Sequence, residues 1–149
     1  MQDVYTTGQP GIRRCLFQLE ELVTRVDSNL SGHFERESIS YVQFAFRWIN
    51  CLLIREVPFA VAIRLWDTYL AEGTRFGEFL PYACAAFLLH WSKQLQTMDF
   101  QDTLLFLQKV PTSSWRGKDL EVVLSHAHML RTSFDDAQSH LSSVNIGSR

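Results

Sequence analysis

The sequence has 149 residues, 46% of them hydrophobic and 20% charged, with a formal net charge of −2. That balance describes one ordinary globular domain and excludes a disordered chain. Its basic residues never run longer than Arg13-Arg14, which excludes the basic stripe of a nucleic-acid reader. The opening "MQDVYTTGQP" has neither a basic start nor an apolar block, so no secretory leader is expected.

Helical periodicity dominates along the chain, and no strand pair stands out. After "TTGQPG" a first helix carries Ile12, Leu16, Leu19, Val23 and Val26 at helical spacing, with Arg13, Gln18, Glu21 and Arg25 on the other side. "DSNLSGHF" reads as turn formers that end it. A second helix is predicted from Ser38, its N-cap, to about Arg55, with Glu35 and Glu37 at the positive end of its dipole. It is apolar on nearly every face, the pattern of a central helix surrounded by others. From Tyr41 to Ile54 it would rise only about 21 Å, short of the roughly 30 Å hydrocarbon layer of a bilayer. Gln43, Arg47 and Asn50 would also be costly in lipid, so this is a buried helix and not a membrane span.

Pro58 stops that helix and starts the third, whose predicted buried stripe is Phe59, Ala62, Ile63, Trp66, Tyr69 and Leu70. "AEGTRFGEF" reads as a loop. The fourth helix covers roughly Leu80 to Gln96, with Leu80, Ala83, Cys84, Phe87, Trp91 and Leu95 in line and a small run, "ACAA", that lets a neighbour approach closely. Asp99 caps a fifth helix, with Asp102 three residues on in the manner of a capping box; Phe100, Leu104, Leu107 and Val110 point inward. "PTSSWRG" breaks the chain. A sixth helix follows with Leu120, Val123, Leu124, Ala127, Leu130 and Phe134 on one side. The end is expected to fray from Ser139, with 141–149 a flexible tail. The fold class is all-α, with about six helices in one domain over 1–140.

Chemistry of the usual kinds is hard to find. "EGTRFGEF" lacks the spacing and the Lys-Ser/Thr of a phosphate-binding loop, and no G-x-S-x-G elbow occurs. His126 and His128 are two apart, about 200° around a helix, whereas zinc ligands on one helix face need a spacing of three or four. Cys15, Cys51 and Cys84 each sit in apolar helical patterns and read as reduced core residues. What remains is charge embedded in apolar helices: Arg47, Arg55 and Glu56, then Arg64 and Asp67. Arg55, Glu56 and Arg64 can snorkel. Arg47 and Asp67, flanked by large apolar residues, are expected to meet across the second and third helices.

"YVQFAFRWINCLLIREVP" followed by "AIRLWDTYLAE" closely resembles the TBC-domain family of Rab GTPase-activating proteins. The hallmark residues here are Phe44, Phe46, Arg47 and Trp48, then Arg55 and Glu56, then Leu65, Trp66 and Asp67. "QDVYTTGQPGIRRCLFQLEELVTRVDSNL", "YACAAFLLHWSKQL" and "MDFQDTLLFLQKVPTSSW" are similar to the subgroup that includes yeast Golgi-type Rab activators and their animal counterparts. The resemblance covers about residues 1–140. It implies the C-terminal lobe of an all-helical, V-shaped domain that clasps a GTP-bound Rab and speeds GTP hydrolysis with two fingers supplied in trans. One is an arginine from an I-x-x-D-x-x-R motif and the other a glutamine from a Y-x-Q motif. No cofactor of its own is implied; Mg²⁺ and GTP belong to the Rab.

The sequence departs from that pattern. No I-x-x-D-x-x-R occurs in it. Tyr41-Val42-Gln43 spells Y-x-Q but opens the F-A-F-R-W helix, so Gln43 is not assigned as the finger. No catalytic residue follows from the resemblance. Arg55, Glu56 and Arg75 are candidate Rab contacts. The expected function is part of a Rab GTPase activator in vesicle trafficking, inactive alone, cytoplasmic and peripheral at Golgi or other endomembranes through partners. The alternatives are a finger-less helical module that holds a Rab or an adaptor without catalysis, and a structural scaffold. A lobe built to pack on another leaves an apolar patch, so self-association through that face is also expected.

Overall fold

The computed structural model describes the backbone of residues 2–146 and the side chains of 11–137. Eight α-helices follow one another in it: α1 (Gln2–Val26), α2 (Ser28–Arg36), α3 (Val42–Asn50), α4 (Phe59–Glu72), α5 (Phe76–Leu89), α6 (Ser92–Leu95), α7 (Phe100–Gln108) and α8 (Gly117–Ile146). Short 3-10 turns at Ile54–Glu56 and Gly73–Arg75 flank α4. No strand occurs among the described residues, and the all-α class holds. Of the expected tail, 141–146 continue α8, and 147–149 lie outside the described residues.

The central helix is α5, not the predicted second helix. Phe79, Leu80, Pro81, Ala83, Cys84, Ala85, Ala86, Phe87 and Leu88 are all buried along it, and it packs against both α1 and α8. The small residues Ala83 to Ala86 allow that two-sided approach. On α1, Cys15, Leu19, Leu22 and Val23 are buried. On α8, Leu120, Val123, Leu124, Ala127 and Leu130 are buried as their spacing predicts. A chain of rings crosses the interior. Phe34 meets Phe44, Phe44 meets Trp48, Trp48 meets Phe87, and Phe87 meets both Trp91 and Trp115.

Three stretches differ from expectation. "DSNLSGHF" is not a turn but the start of α2. Asp27 caps it, its Oδ1 accepting from the Leu30 N–H at 3.0 Å, and Leu30, His33 and Phe34 are buried at helical spacing. The turn-forming residues are there because the same side chains that favour turns also cap helices.

The predicted helix from Ser38 to Arg55 is the short α3 with a turn at each end. Ser38 is no N-cap. It sits at φ 58° just beyond α2, where the Ile39 N–H bonds the Phe34 carbonyl at 2.8 Å and the Ser38 N–H bonds that of Glu35 at 3.2 Å. These are the paired bonds of a Schellman stop. The same pair closes α3. The Leu53 N–H bonds Trp48 at 2.8 Å and the Leu52 N–H bonds Ile49 at 3.2 Å, with Leu52 at φ 57° and Leu53 at φ 63°. Left-handed leucines are costly. Burial of Leu53 and the Tyr69 hydroxyl donating to the Leu52 carbonyl at 2.7 Å hold them there.

"AEGTRFGEF" is helical almost throughout; only the turn at Gly73–Arg75 separates α4 from α5. Pro81 lies inside α5 rather than near its start. That helix ends at Leu89, and Ser92–Leu95 form the separate α6. The fifth predicted helix is α7, capped by Asp99, whose Oδ1 accepts from the Asp102 N–H at 2.8 Å. Leu107 and Val110 are buried there, Leu104 is half-buried, and Phe100 is exposed.

Candidate functional site

Helix α3 divides its motif residues by face. Phe44 and Trp48, four apart, point into the core. Phe46 points to solvent. Arg47 lies between these faces and reaches out of the helix towards the turn at 54–56. There its Nε donates to Glu56 Oε1 at 2.8 Å and its Nη2 to Glu56 Oε2 at 3.1 Å. Nη2 also donates to the Gln108 carbonyl at the end of α7. The two-pronged geometry suits a planar guanidinium on a carboxylate. Glu56 is held on its other side too, since its backbone carbonyl accepts from the Thr112 hydroxyl. One guanidinium and one hydroxyl therefore pin the 108–113 loop to α3 and the turn before α4.

The expected Arg47–Asp67 pairing does not form. Glu56 takes that place, and Asp67 is exposed on α4. In a helix continuing to Arg55, positions nine apart would lie on opposite faces. The reversal at Leu52-Leu53 folds the chain back and lets 47 meet 56. Sequence reasoning missed Glu56 as the partner because nothing in two leucines announces a left-handed turn.

This network floors an open cleft of about 460 Å³, lined by Arg47, Arg55, Glu56, Pro58, Lys109 and Thr112 among others. Arg55 and Lys109 are exposed on its rim. With Glu56 committed to Arg47, the accessible charge here is positive.

Arg75, the other candidate contact, lies at the far end of α4. Its Nε donates to Glu78 at 3.2 Å in an exposed pair. Fourteen residues of helix, about 21 Å, separate the two ends, so Arg55 and Arg75 are not parts of one site. Arg75 borders a second cleft, also about 460 Å³, between α1, α5 and α8, with Leu22, Tyr82, Arg131 and Phe134 in its walls. Arg131 there donates to Glu72 at 2.8 and 3.2 Å and lies over the Phe79 ring at 5.1 Å. His128 stacks on the same ring.

The Arg131 hydrogen bond holds the Glu72 carboxyl below its ordinary value of 4.5. The charged form is thus favoured in the folded state. Its contribution is present above the unfolded value and is lost as pH falls through the folded one. We expect Glu72→Gln to melt lower than the parent at about pH 7 and the gap to close below about pH 4. A gap that stays constant down to about pH 3 would remove the pair from the stability account.

Among motif residues on α4, Leu65 is buried, Trp66 is half exposed and Asp67 exposed. Gln43 has a local task. Its Oε1 accepts the Ser40 N–H at 2.9 Å, one half of a capping box at the start of α3. The thiols are quiet: burial pushes Cys15 up to about 12 and raises Cys84 as well, far from the thiolate a nucleophile needs.

The described residues thus present an all-helical scaffold with a pinned loop, a basic cleft and apolar helix faces. The Rab-GTPase-TBC domain profile matches residues 1–96, and the chain belongs to that family. It is 49% identical over 142 residues to the GTPase-activating protein gyp1 of Schizosaccharomyces pombe, covering 95% of this chain and 28% of that protein. It is 48% identical over 141 residues to human TBC1 domain family member 22A, covering 94% of this chain and 27% of the relative. A crystal structure of the Ypt/Rab-GAP domain of Gyp1p matches with a TM-score of 0.82 at 49% identity, over 85% of this chain and 39% of that one. The chain therefore spans between a quarter and a third of the length of these curated relatives.

Proposed function

We propose that this chain is the C-terminal part of a Rab GTPase-activating domain and serves the activation of GTP hydrolysis in vesicle trafficking. The observation that carries the reading is the match in both sequence and fold to the Rab-GAP domain of Gyp1p over 85% of the chain. Its partner is a GTP-bound Rab-family GTPase, and it contributes shape and contact surface rather than reacting groups. Arg55, on the rim of the basic cleft, and Arg75, at the other end of α4, are the proposed Rab contacts. Glu56 acts indirectly by holding Arg47 and the 108–113 loop in place.

The arginine and glutamine that speed GTP cleavage come, in this reading, from polypeptide outside these residues. The sequence has no I-x-x-D-x-x-R, and Gln43 is engaged with the Ser40 N–H. An arginine finger is worth roughly 10³ to 10⁵ in rate, so its absence is decisive for activity. The Rab brings its own Mg²⁺ and nucleotide. No helix of the described residues is long and apolar enough to cross a membrane, and we place the protein in the cytoplasm, at Golgi or other endomembranes through its partners.

The same two features favour a second reading, a helical binding module that holds a Rab or an adaptor without catalysis. Single-turnover GTP hydrolysis by a panel of Rabs tests both. We expect the 149-residue chain to leave every intrinsic rate within about twofold, against the roughly 10³-fold or more that a supplied finger gives. Stimulation beyond about tenfold would overturn the assignment of the fingers elsewhere. Tight binding that requires GTP, with no effect on hydrolysis in the longer protein, would favour the binding module.

A further inference from the structure

The segment between α7 and α8 carries a run of hydroxyls, Thr112, Ser113 and Ser114, and the fold treats each differently. Thr112 is buried, its hydroxyl committed to the Glu56 carbonyl. Ser114 is exposed and lies outside the wall of the basic cleft. Ser113 is exposed and lines that cleft together with Arg47, Arg55 and Lys109. Its hydroxyl has no hydrogen-bond partner among the described residues. Residues 109–116 belong to no helix, which leaves Ser113 open to a second protein.

The Thr112 hydrogen bond joins this turn to the segment before α4, and Ser113 and Arg55 are the next residues along from its two ends. Lys109 stands on the same loop, just past the end of α7. Arg55 and Lys109 are both exposed, and neither enters an ion pair among the described residues. Arg47 adds a third cation. Its Nε and Nη2 are occupied by Glu56 and the Gln108 carbonyl, which fixes the plane of the guanidinium and leaves Nη1 outside those bonds. The turn is also held at its other end. The Trp115 N–H bonds the Thr112 carbonyl at 2.9 Å, and the Trp115 ring packs among Phe87, His90 and Trp91. Ser113 therefore stands at a fixed place beside unpaired positive charge.

We propose that Ser113 is a phosphorylation site and that this cleft holds its phosphate, chiefly through Arg55 and Lys109. A protein kinase supplies the group from a nucleoside triphosphate. The bond from Ser113 Oγ to the γ-phosphorus forms as the bond from that phosphorus to the diphosphate oxygen breaks, and the hydroxyl proton leaves through the kinase's base. The product carries about −1.5 to −2 charges at neutral pH with three acceptor oxygens, enough to take charge-assisted bonds from both cations. It braces the 108–113 loop against the segment before α4, beside the links that Glu56 already makes to Arg47 and Thr112. It also cancels most of the accessible positive charge of the cleft, and so changes which partners the cleft attracts. The site goes beyond the GTPase-activating reading and stands without it.

The 149-residue chain carrying Ser113→phosphoserine, introduced during translation, is compared with the unmodified chain and with Ser114→phosphoserine. Phosphate at 113 is expected to raise the circular-dichroism melting midpoint by about 2–4 °C, and phosphate at 114 to leave it within about 1 °C. In a phosphorus NMR titration the 113 phosphate is expected to lose its second proton at lower pH than the 114 phosphate, because neighbouring cations favour the dianion. Arg55→Ala with Lys109→Ala is expected to remove both differences. An unchanged midpoint, or a phosphate at 113 that titrates like the one at 114, overturns the capture. Mass spectrometry of the chain produced in a eukaryotic cell with phosphatases inhibited tests the modification itself. Fragmentation of the tryptic peptide Val110–Arg116 is expected to place phosphate on Ser113. A peptide found unmodified, or modified only at Thr112 or Ser114, overturns the site.

Discussion

Replacing Trp48 with alanine is expected to lower stability by about 3–5 kcal/mol. The ring is fully buried. It meets Phe44 edge-on at 5.1 Å and Phe87 edge-on at 5.0 Å, joining α3 to the central helix α5. Truncation would remove its transfer energy, leave a cavity that the surrounding rings cannot fill and break the aromatic chain at its middle. For a chain of this size each kcal/mol is worth roughly 2–4 °C, so the thermal midpoint should fall by about 6–20 °C. Against a total stability of about 5–15 kcal/mol, that leaves the fold marginal. Urea unfolding followed by circular dichroism gives the number directly. Trp48→Phe separates shape from polarity. The indole Nε1 finds no hydrogen-bond partner among the described residues, so phenylalanine gives up no bond and should cost well under half as much. A loss below about 1 kcal/mol for Trp48→Ala, less than the smallest expected for a buried aromatic, would mean that the ring does not join these helices.

Arg47→Ala is expected to cost about 3 kcal/mol, the lower end for breaking a buried ion pair by removing one partner. The Glu56 side chain is 3% exposed and that of Arg47 39%. Alanine would strand a desolvated carboxylate and take a donor from the Gln108 carbonyl. The lower end applies because the cleft is open and water can enter the space left by the guanidinium. Removing both charges at once, as Arg47→Met with Glu56→Leu, should cost much less, since a buried pair exchanged for apolar groups is often near neutral. Asp67→Ala, at an exposed position, should leave the fold's stability unchanged. An unaltered melt for Arg47→Ala would show that the pair contributes nothing to the loop at 108–113.

Much of the architecture was legible in the residues. The stripe of α8 and the cap of α7 lie where their spacing and chemistry put them, because long amphipathic patterns and Asp-capped starts depend mostly on local rules. The burial of Cys15 and Cys84 follows from the same periodicity. Less legible were the places where a helix stops without the usual glycine. Ser38, Leu52 and Leu53 adopt left-handed backbone, and none of the three side chains favours it. Buried contacts and a hydrogen bond from Tyr69 pin Leu52 and Leu53, and these come from residues far along the chain. The candidate site was legible in part. Arg47 stood out as a charge among rings, and its need for a partner followed from that setting, while the identity of the partner did not.

What the sequence determined alone is the helical class, the apolar content of each helix and the family signature, since each depends on residue type and short-range spacing. The tertiary structure decided two things. It turned the chain at Leu52-Leu53 so that Glu56 rather than Asp67 meets Arg47. It also chose which arc of α4 is covered, setting Val61, Leu65 and Tyr69 inside and leaving Phe59, Ile63, Trp66 and Leu70 outside. Apolar residues occupy well over half the circumference of that helix. Periodicity then records that much of it avoids water, but only the positions of α5 and α8 determine which part is shielded.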